Sequence, residues 1–247
     1  MKKRRNKYAV GFALEFAIFC IISALISLVL IIPMLNFDFP IPTKEVGALS
    51  NITIVLDAGH GGEDGGCEGH GLVEKDLNLD ITLRIAILLK EQGINVVLTR
   101  DSDVLLYDKN SDYQGKKKYQ DVRKRLEITN SYENPVLISI HMNSFSQAKY
   151  SGLQVWYGEG NPNSKRLADS IQSNVKNILQ PTNKRTTKKA TSSIFLLNNA
   201  TCPAILIECG FLSNADDARA LGDAEYRQNL ANVIFNSIME YISQNNT

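Results

Sequence analysis

At 247 residues the chain has room for one domain of ordinary size and a short accessory segment, and its 44% hydrophobic content supplies a full core. Lysine and arginine number 27 against 26 acidic residues; five of the basic and two of the acidic residues fall in the first 38 positions, which leaves 22 against 24. A near-neutral remainder without a basic stripe excludes nucleic acid as an expected partner, and four irregularly spaced cysteines exclude a disulfide framework.

Lys2, Lys3, Arg4, Arg5 and Lys7 make residues 1–7 a basic cytoplasmic segment, and residues 16–37 hold no charge across 22 positions. That run is long enough to cross a bilayer as a helix, and basic residues before it hold its near end in the cytoplasm. We therefore expect a transmembrane signal anchor over 8–37, a single-pass protein of the cell membrane, and an extracytoplasmic main domain. A cleaved signal peptide calls for a shorter apolar core, and the small-residue site Val46-Gly47-Ala48 lies well past this one. Residues 38–50, with Pro40 and Pro42, read as a linker to a domain over 51–247.

That domain begins with a β-branched run over 52–56, which ends in Asp57-Ala58-Gly59-His60 and an open, glycine-rich loop. Leu77, Ile81, Ile85 and Leu88 recur at helical spacing from Glu74 to about Gln92, where Gly93 supplies a stop. A strand over 94–99, a helix over 119–131 and a strand over 135–140 follow. Residues 153–157 read as a strand, 163–179 as a helix, 193–197 and 203–208 as strands, and 225–242 as a closing helix. The alternation predicts a single α/β domain with a mostly parallel sheet and helices on both faces.

In such a sheet the working crevice lies beyond the carboxyl ends of the strands. His60 follows the first strand, Glu74 opens the helix returning from the loop, His141 follows the third and Glu208 ends the last. Two imidazoles and a carboxylate make a catalytic zinc ligand set with one position left open, and a fourth carboxylate serves as proton acceptor. The reaction type this points to is metal-assisted hydrolysis of an amide or ester.

The blocks Asp57-Ala58-Gly59-His60-Gly61-Gly62, Glu74-Lys75-Asp76-Leu77-Asn78, Ser139-Ile140-His141-Met142-Asn143-Ser144 and Glu208-Cys209-Gly210-Phe211-Leu212-Ser213-Asn214 stand in order along the chain. Together they resemble the zinc-dependent N-acetylmuramoyl-L-alanine amidases of the Amidase_3 type, over about residues 51–243. The resemblance implies that His60, Glu74 and His141 bind one Zn2+ ion and that Glu208 is the catalytic carboxylate. It implies as substrate the peptidoglycan amide between the lactyl group of N-acetylmuramic acid and L-alanine. The small anchored form without wall-binding repeats is similar to the CwlD-type amidases of spore formers, which help make muramic-δ-lactam in the spore cortex. Only about ten residues separate His141 from the next strand, too few for the inserted helix that blocks some cell-division amidases, so regulation would fall to timing, metal supply or a protein partner.

Other residues carry two readings. Arg100 and Arg125 are expected either to hold stem-peptide carboxylates or to form ion pairs within the fold. Asn143 and Asn214 are expected to fix loops first and touch substrate second. Cys67 reads as a buried thiol rather than a stray ligand, His70 as a surface histidine, and the lysine clusters 116–118 and 184–189 as solvated loops. The competing function is an anchored module of the same fold that binds peptidoglycan or a partner without cutting. A stem-cutting peptidase lacks support, because His-Glu-x-x-His does not occur.

Overall fold

The computed structural model describes residues 51–107 and 116–245. The expected cytoplasmic segment, anchor and linker over 1–50 lie outside the described residues, among which no helix is long and apolar enough to cross a membrane. The elements, in chain order, are strand β1 (Thr53–Ala58), the two-residue strands β2 (Glu68–Gly69) and β3 (Leu72–Val73), helix α1 (Glu74–Glu91) and strand β4 (Asn95–Leu98). Helix α2 (Lys117–Asn130), strand β5 (Pro135–Asn143), strand β6 (Gln154–Tyr157) and helix α3 (Asn163–Ile178) come next. Strand β7 (Lys188–Lys189), helix α4 (Phe195–Asn199), strand β8 (Ala204–Phe211) and helices α5 (Ala215–Gly222) and α6 (Ala224–Asn245) complete the fold.

Six strands form one sheet in the order β4-β1-β5-β8-β6-β7. All neighbours run parallel except β8 and β6, which are antiparallel. The central strands are covered on both faces, and accordingly β1 is buried at every position and β5 at five consecutive ones. Alternation along the strands divides the core in two. Ile54, Leu56, Ile138, Ile140, Ile205 and Ile207 pack on one face with the apolar stripes of α1, α3 and α6. Val55, Leu137 and Leu206 pack on the other with Val122 and Leu126 of α2 and Leu196 and Leu197 of α4.

The segment 193–197, expected as a strand, instead holds the start of the short helix α4, whose Leu196 and Leu197 enter the second core. A short apolar run has the same local pattern whether it becomes a buried strand or one helical turn, and here the face of the sheet already in place takes it as a helix. The β2/β3 hairpin forms in the stretch expected as an open glycine-rich loop and β7 in the cluster 184–189 expected as a solvated loop, and α5 adds a helix where none is expected. Asn214 caps α5, accepting from the amides of Asp216 and Asp217, while its own amide donates to the carbonyl of Ala148.

Candidate metal centre and active site

The second face carries the chemistry. Asp57, Ser139, His141, Gln154, Leu206 and Glu208 alternate onto it, so the register that pairs His141 with Glu208, and Glu208 with Gln154, sets three polar side chains side by side near the carboxyl ends of β5 and β8. The turn after β1 brings His60 to the same edge.

That turn is held from beneath by two buried arginines. Arg100 donates to the carbonyls of Ala58 at 2.8 Å and Gly59 at 3.0 Å, and ties them to the first turn of α1 through the carbonyl of Lys75 at 2.8 Å. Arg125, from α2, donates to Ala58 O at 2.7 Å and His60 O at 2.8 Å, and to the carboxylates of Asp57 and Asp121 at 2.6 and 2.7 Å. Burial alone would push the Asp57 carboxyl up, but Arg125 together with the Ser139 and Thr99 hydroxyls brings it down to about 2. So anchored, His60 takes a φ of 60°, a left-handed conformation that costs a non-glycine residue about 1–2 kcal/mol.

Glu74, the first residue of α1 and 3% exposed, is the hub. Its Oε1 lies 3.2 Å from His60 Nε2 and 2.9 Å from His141 Nδ1, and accepts the Met142 amide at 3.1 Å. Its Oε2 accepts the Cys67 amide at 2.8 Å. Burial works to raise the Glu74 carboxyl, yet the two histidines outweigh it and hold Glu74 well below the usual carboxylate range. Burial likewise works against a charged His60, and bonds to Glu74 and Asp64 overcome it and raise that imidazole. The two rings meet edge to face with centroids 5.0 Å apart. Ligand atoms of His60, Glu74 and His141 all fall within 4.8 Å of one another, a grouping that could hold a metal ion.

Glycines make room for this cluster. A Cβ on Gly59 would collide with the His141 ring, and one on Gly66, at φ 73°, would come within 2.5 Å of Glu74 Oε2 and 2.8 Å of the His60 ring. Beside the cluster stands Glu208, whose buried Oε2 has no hydrogen-bond partner among the described residues. Burial, and then the charge of Glu74, push its carboxyl up to about 8. An orphaned carboxylate oxygen next to two imidazoles and a second carboxylate is the donor chemistry expected around a divalent cation.

Residues 54–240 match the sequence profile described as N-acetylmuramoyl-L-alanine amidase. The chain belongs to the N-acetylmuramoyl-L-alanine amidase family. Among its relatives, the germination-specific N-acetylmuramoyl-L-alanine amidase of Bacillus subtilis is 37% identical over 196 residues, 79% of this chain and 82% of that protein. The CwlD amidase of Clostridioides difficile, solved in complex with the GerS lipoprotein, superposes with a TM-score of 0.72 at 39% identity, covering 78% of this chain and 98% of that one. The AmiC2 amidase of Nostoc punctiforme superposes at 0.67 with 30% identity, over 78% and 98% of the two chains. The protein is thus an amidase of peptidoglycan.

In this amidase Arg125 takes the second of its two readings, with ion pairs to Asp57 and Asp121, whereas Arg100 follows neither, since its donors go to backbone carbonyls alone. Arg100 and Arg125 are 3% and 2% exposed, and their donors go to the backbone of the His60 turn and to buried aspartates, so neither is available to a stem-peptide carboxylate. Asn143 stays at the active edge, its backbone carbonyl accepting the Leu212 amide at 2.8 Å. His70 is exposed in the turn between β2 and β3. The Cys67 thiol is pushed far above the usual thiol range by burial and by the Glu74 charge, and Cys67 is not part of the His60–Glu74–His141 grouping.

Two positions escaped the sequence. Asp64 accepts from His60 Nδ1 at 2.9 Å and from Lys118 Nζ at 2.7 Å; an acid four residues after a candidate ligand was the available signal. Lys117 pairs with Glu63 at 2.6 Å. The cluster 116–118, expected as a solvated loop, therefore bridges α2 to the glycine loop. Arg185, in the cluster 184–189, is half-buried against the ring of Phe211 rather than solvated.

Proposed function

We propose that His60, Glu74 and His141 hold one zinc ion and that Glu208 is the catalytic carboxylate in hydrolysis of the amide between N-acetylmuramic acid and L-alanine. The observation that carries this reading is the register of β5 against β8, which seats an unpartnered carboxylate directly beside the His60–Glu74–His141 cluster. Zinc, when bound, supplies Lewis acidity: it polarises a carbonyl and makes water a usable nucleophile near neutral pH.

The rest is the work of the chain. His60 Nδ1 donates to Asp64, which leaves Nε2 as the metal-facing nitrogen, and Asp64 fixes that tautomer. Glu74, held well below the usual carboxylate range by the two histidines, brings negative charge to the site. Glu208, raised by burial and by the charge of Glu74, is the carboxylate placed to accept a proton from water and return it to the departing amine, and a cation held by His60, Glu74 and His141 would offset the repulsion from Glu74.

The setting is also part of the proposal. The uncharged run over 16–37 supports a single-pass anchor that places the domain outside the membrane, where peptidoglycan lies. Likeness to a germination-specific amidase and to CwlD supports a role in maturing the spore cortex through muramic-δ-lactam formation, and the GerS complex of CwlD supports a protein partner here. A binder of the same fold would have no use for Glu208.

The test is digestion of purified peptidoglycan by the full-length chain, with and without zinc, with the products weighed by mass spectrometry. Stem peptides that begin with L-alanine should be released only with zinc, and Glu208→Gln should lose about 10²- to 10⁴-fold in rate while keeping its zinc. A zinc-loaded wild-type chain that leaves peptidoglycan intact, or a Glu208→Gln chain cutting at the full rate, would overturn it.

A further inference from the structure

Arg185 is built into the active edge and lacks the counter-charge that a half-buried guanidinium ordinarily finds. Its Nη2 donates to Gln154 Oε1 at 2.7 Å, and Gln154, only 2% exposed, is the residue registered opposite Glu208. The other end of the Gln154 amide donates to Thr186 O at 2.8 Å, so the arginine's partner is itself locked. One face of the guanidinium lies 4.7 Å over the ring of Phe211. Buried Nε has no hydrogen-bond partner, and Nη1 makes no hydrogen bond among the described residues. The charges of Asp217 and Glu208 act on Arg185 without either forming an ion pair with it.

An arginine held this way is a donor oriented in advance and left without its anion. Desolvating a guanidinium costs free energy that is normally recovered from a carboxylate. Neither neighbouring acid supplies it: Asp217 turns one oxygen, Oδ2, to the amides of Gly152 and Phe211, each at 2.8 Å, and the Oε2 of Glu208 has no hydrogen-bond partner among the described residues. Next to it, Tyr150 packs toward Phe211 at 6.5 Å, and exposed Phe145 meets Tyr150 edge to face at 5.0 Å, which gives the arginine an apolar wall on the solvent side. A stem peptide whose second residue bears a free carboxylate would supply the missing group close to the cleaved amide.

We infer that Arg185 is a specificity residue that receives a stem-peptide carboxylate beside the bond to be cut, so that this amidase discriminates a free carboxylate from a carboxamide at that position. This rests on the assignment of Glu208 to the reaction, since it is the register of Gln154 against Glu208 that places Arg185 at the edge.

The test uses the zinc-loaded full-length chain and two stem peptides that differ only in carboxylate or carboxamide at the second residue, with binding followed by calorimetry. The corresponding muropeptides are compared by KM and kcat. Wild type should bind the carboxylate form about tenfold or more tightly, from one charge-assisted hydrogen bond. Arg185→Gln should abolish the preference and raise KM for the carboxylate muropeptide by about 10- to 100-fold, with kcat changed far less. Arg185→Lys, which keeps the charge, should retain part of the preference. Equal binding of the two peptides by wild type, or an Arg185→Gln loss of the same size on both, overturns the inference. Discrimination by a chain that cuts neither muropeptide would leave the carboxylate site standing and refute the zinc-amidase assignment.

Discussion

Replacing Arg125 with methionine separates the two roles that its sequence position allowed. The side chain is removed from a site that is 2% exposed, where it neutralises Asp57 and Asp121 and holds the carbonyls of Ala58 and His60. Breaking a buried ion pair from one side costs about 3–5 kcal/mol. A second route gives a similar figure: Asp57, stripped of its partner in a fully buried position, is driven to protonate, and taking up a proton at pH 7 against an ordinary carboxylate pKa near 4 costs about 4 kcal/mol, at about 1.4 kcal/mol per unit. For a domain of this size the loss corresponds to about 6–20 °C in Tm. The pH dependence has a definite sign. In wild type the Asp57 carboxyl is held at about 2, so its contribution is present above pH 4 and lost as pH falls through 2. In the variant the raised Asp57 makes stability fall as pH rises from 4 to 7. The gap between the two proteins is therefore largest at pH 7 and narrows on acidification by up to about 1.4 kcal/mol per unit. Denaturant unfolding of both metal-free proteins at pH 7, 5 and 3 measures it. A gap under about 1 kcal/mol at pH 7, or a variant of unchanged stability with a raised KM, would refute the structural role and return Arg125 to the substrate.

Three further outcomes follow from the same geometry. Asp64→Asn should weaken zinc binding by about 10- to 100-fold in a chelator competition, because the imidazole of His60 loses the carboxylate that sets its tautomer; unchanged affinity would remove Asp64 from the site. Gly59→Ala places a methyl group in the His141 ring and should reduce zinc affinity more than it reduces stability, since His141 must turn away while β1 and β5 stay paired; spectroscopic titration with cobalt in place of zinc reads this directly. Cys67→Ser should leave zinc affinity within about twofold, as Cys67 is not part of the His60–Glu74–His141 grouping, and a larger loss would make Cys67 a ligand.

Short-range pattern was sufficient wherever one residue's neighbours in sequence are also its neighbours in space. The helical stripe from Leu77 to Ile85, the β-branched run before Asp57 and the turn residues after it specify α1 and β1 without reference to the rest of the chain. The order of strand-end residues also marked His60, His141 and Glu208 for one edge, because parallel strands in an α/β sheet all end on the same side. What only the tertiary structure decided are the choices made by distant partners. Phe195-Leu196-Leu197 became helix rather than strand because the second face of the sheet was there to receive it. Arg100 and Arg125 became struts of the His60 turn because the three carbonyls of Ala58, Gly59 and His60 and two buried aspartates lie within their reach. Arg185, one cation in a basic run, was singled out by Gln154 and Phe211, which lie 31 and 26 positions away in sequence and meet it only across the sheet. A charged side chain's sequence neighbours do not determine whether water, a protein carboxylate or a substrate will satisfy it; burial and the register of strands far apart in the chain do.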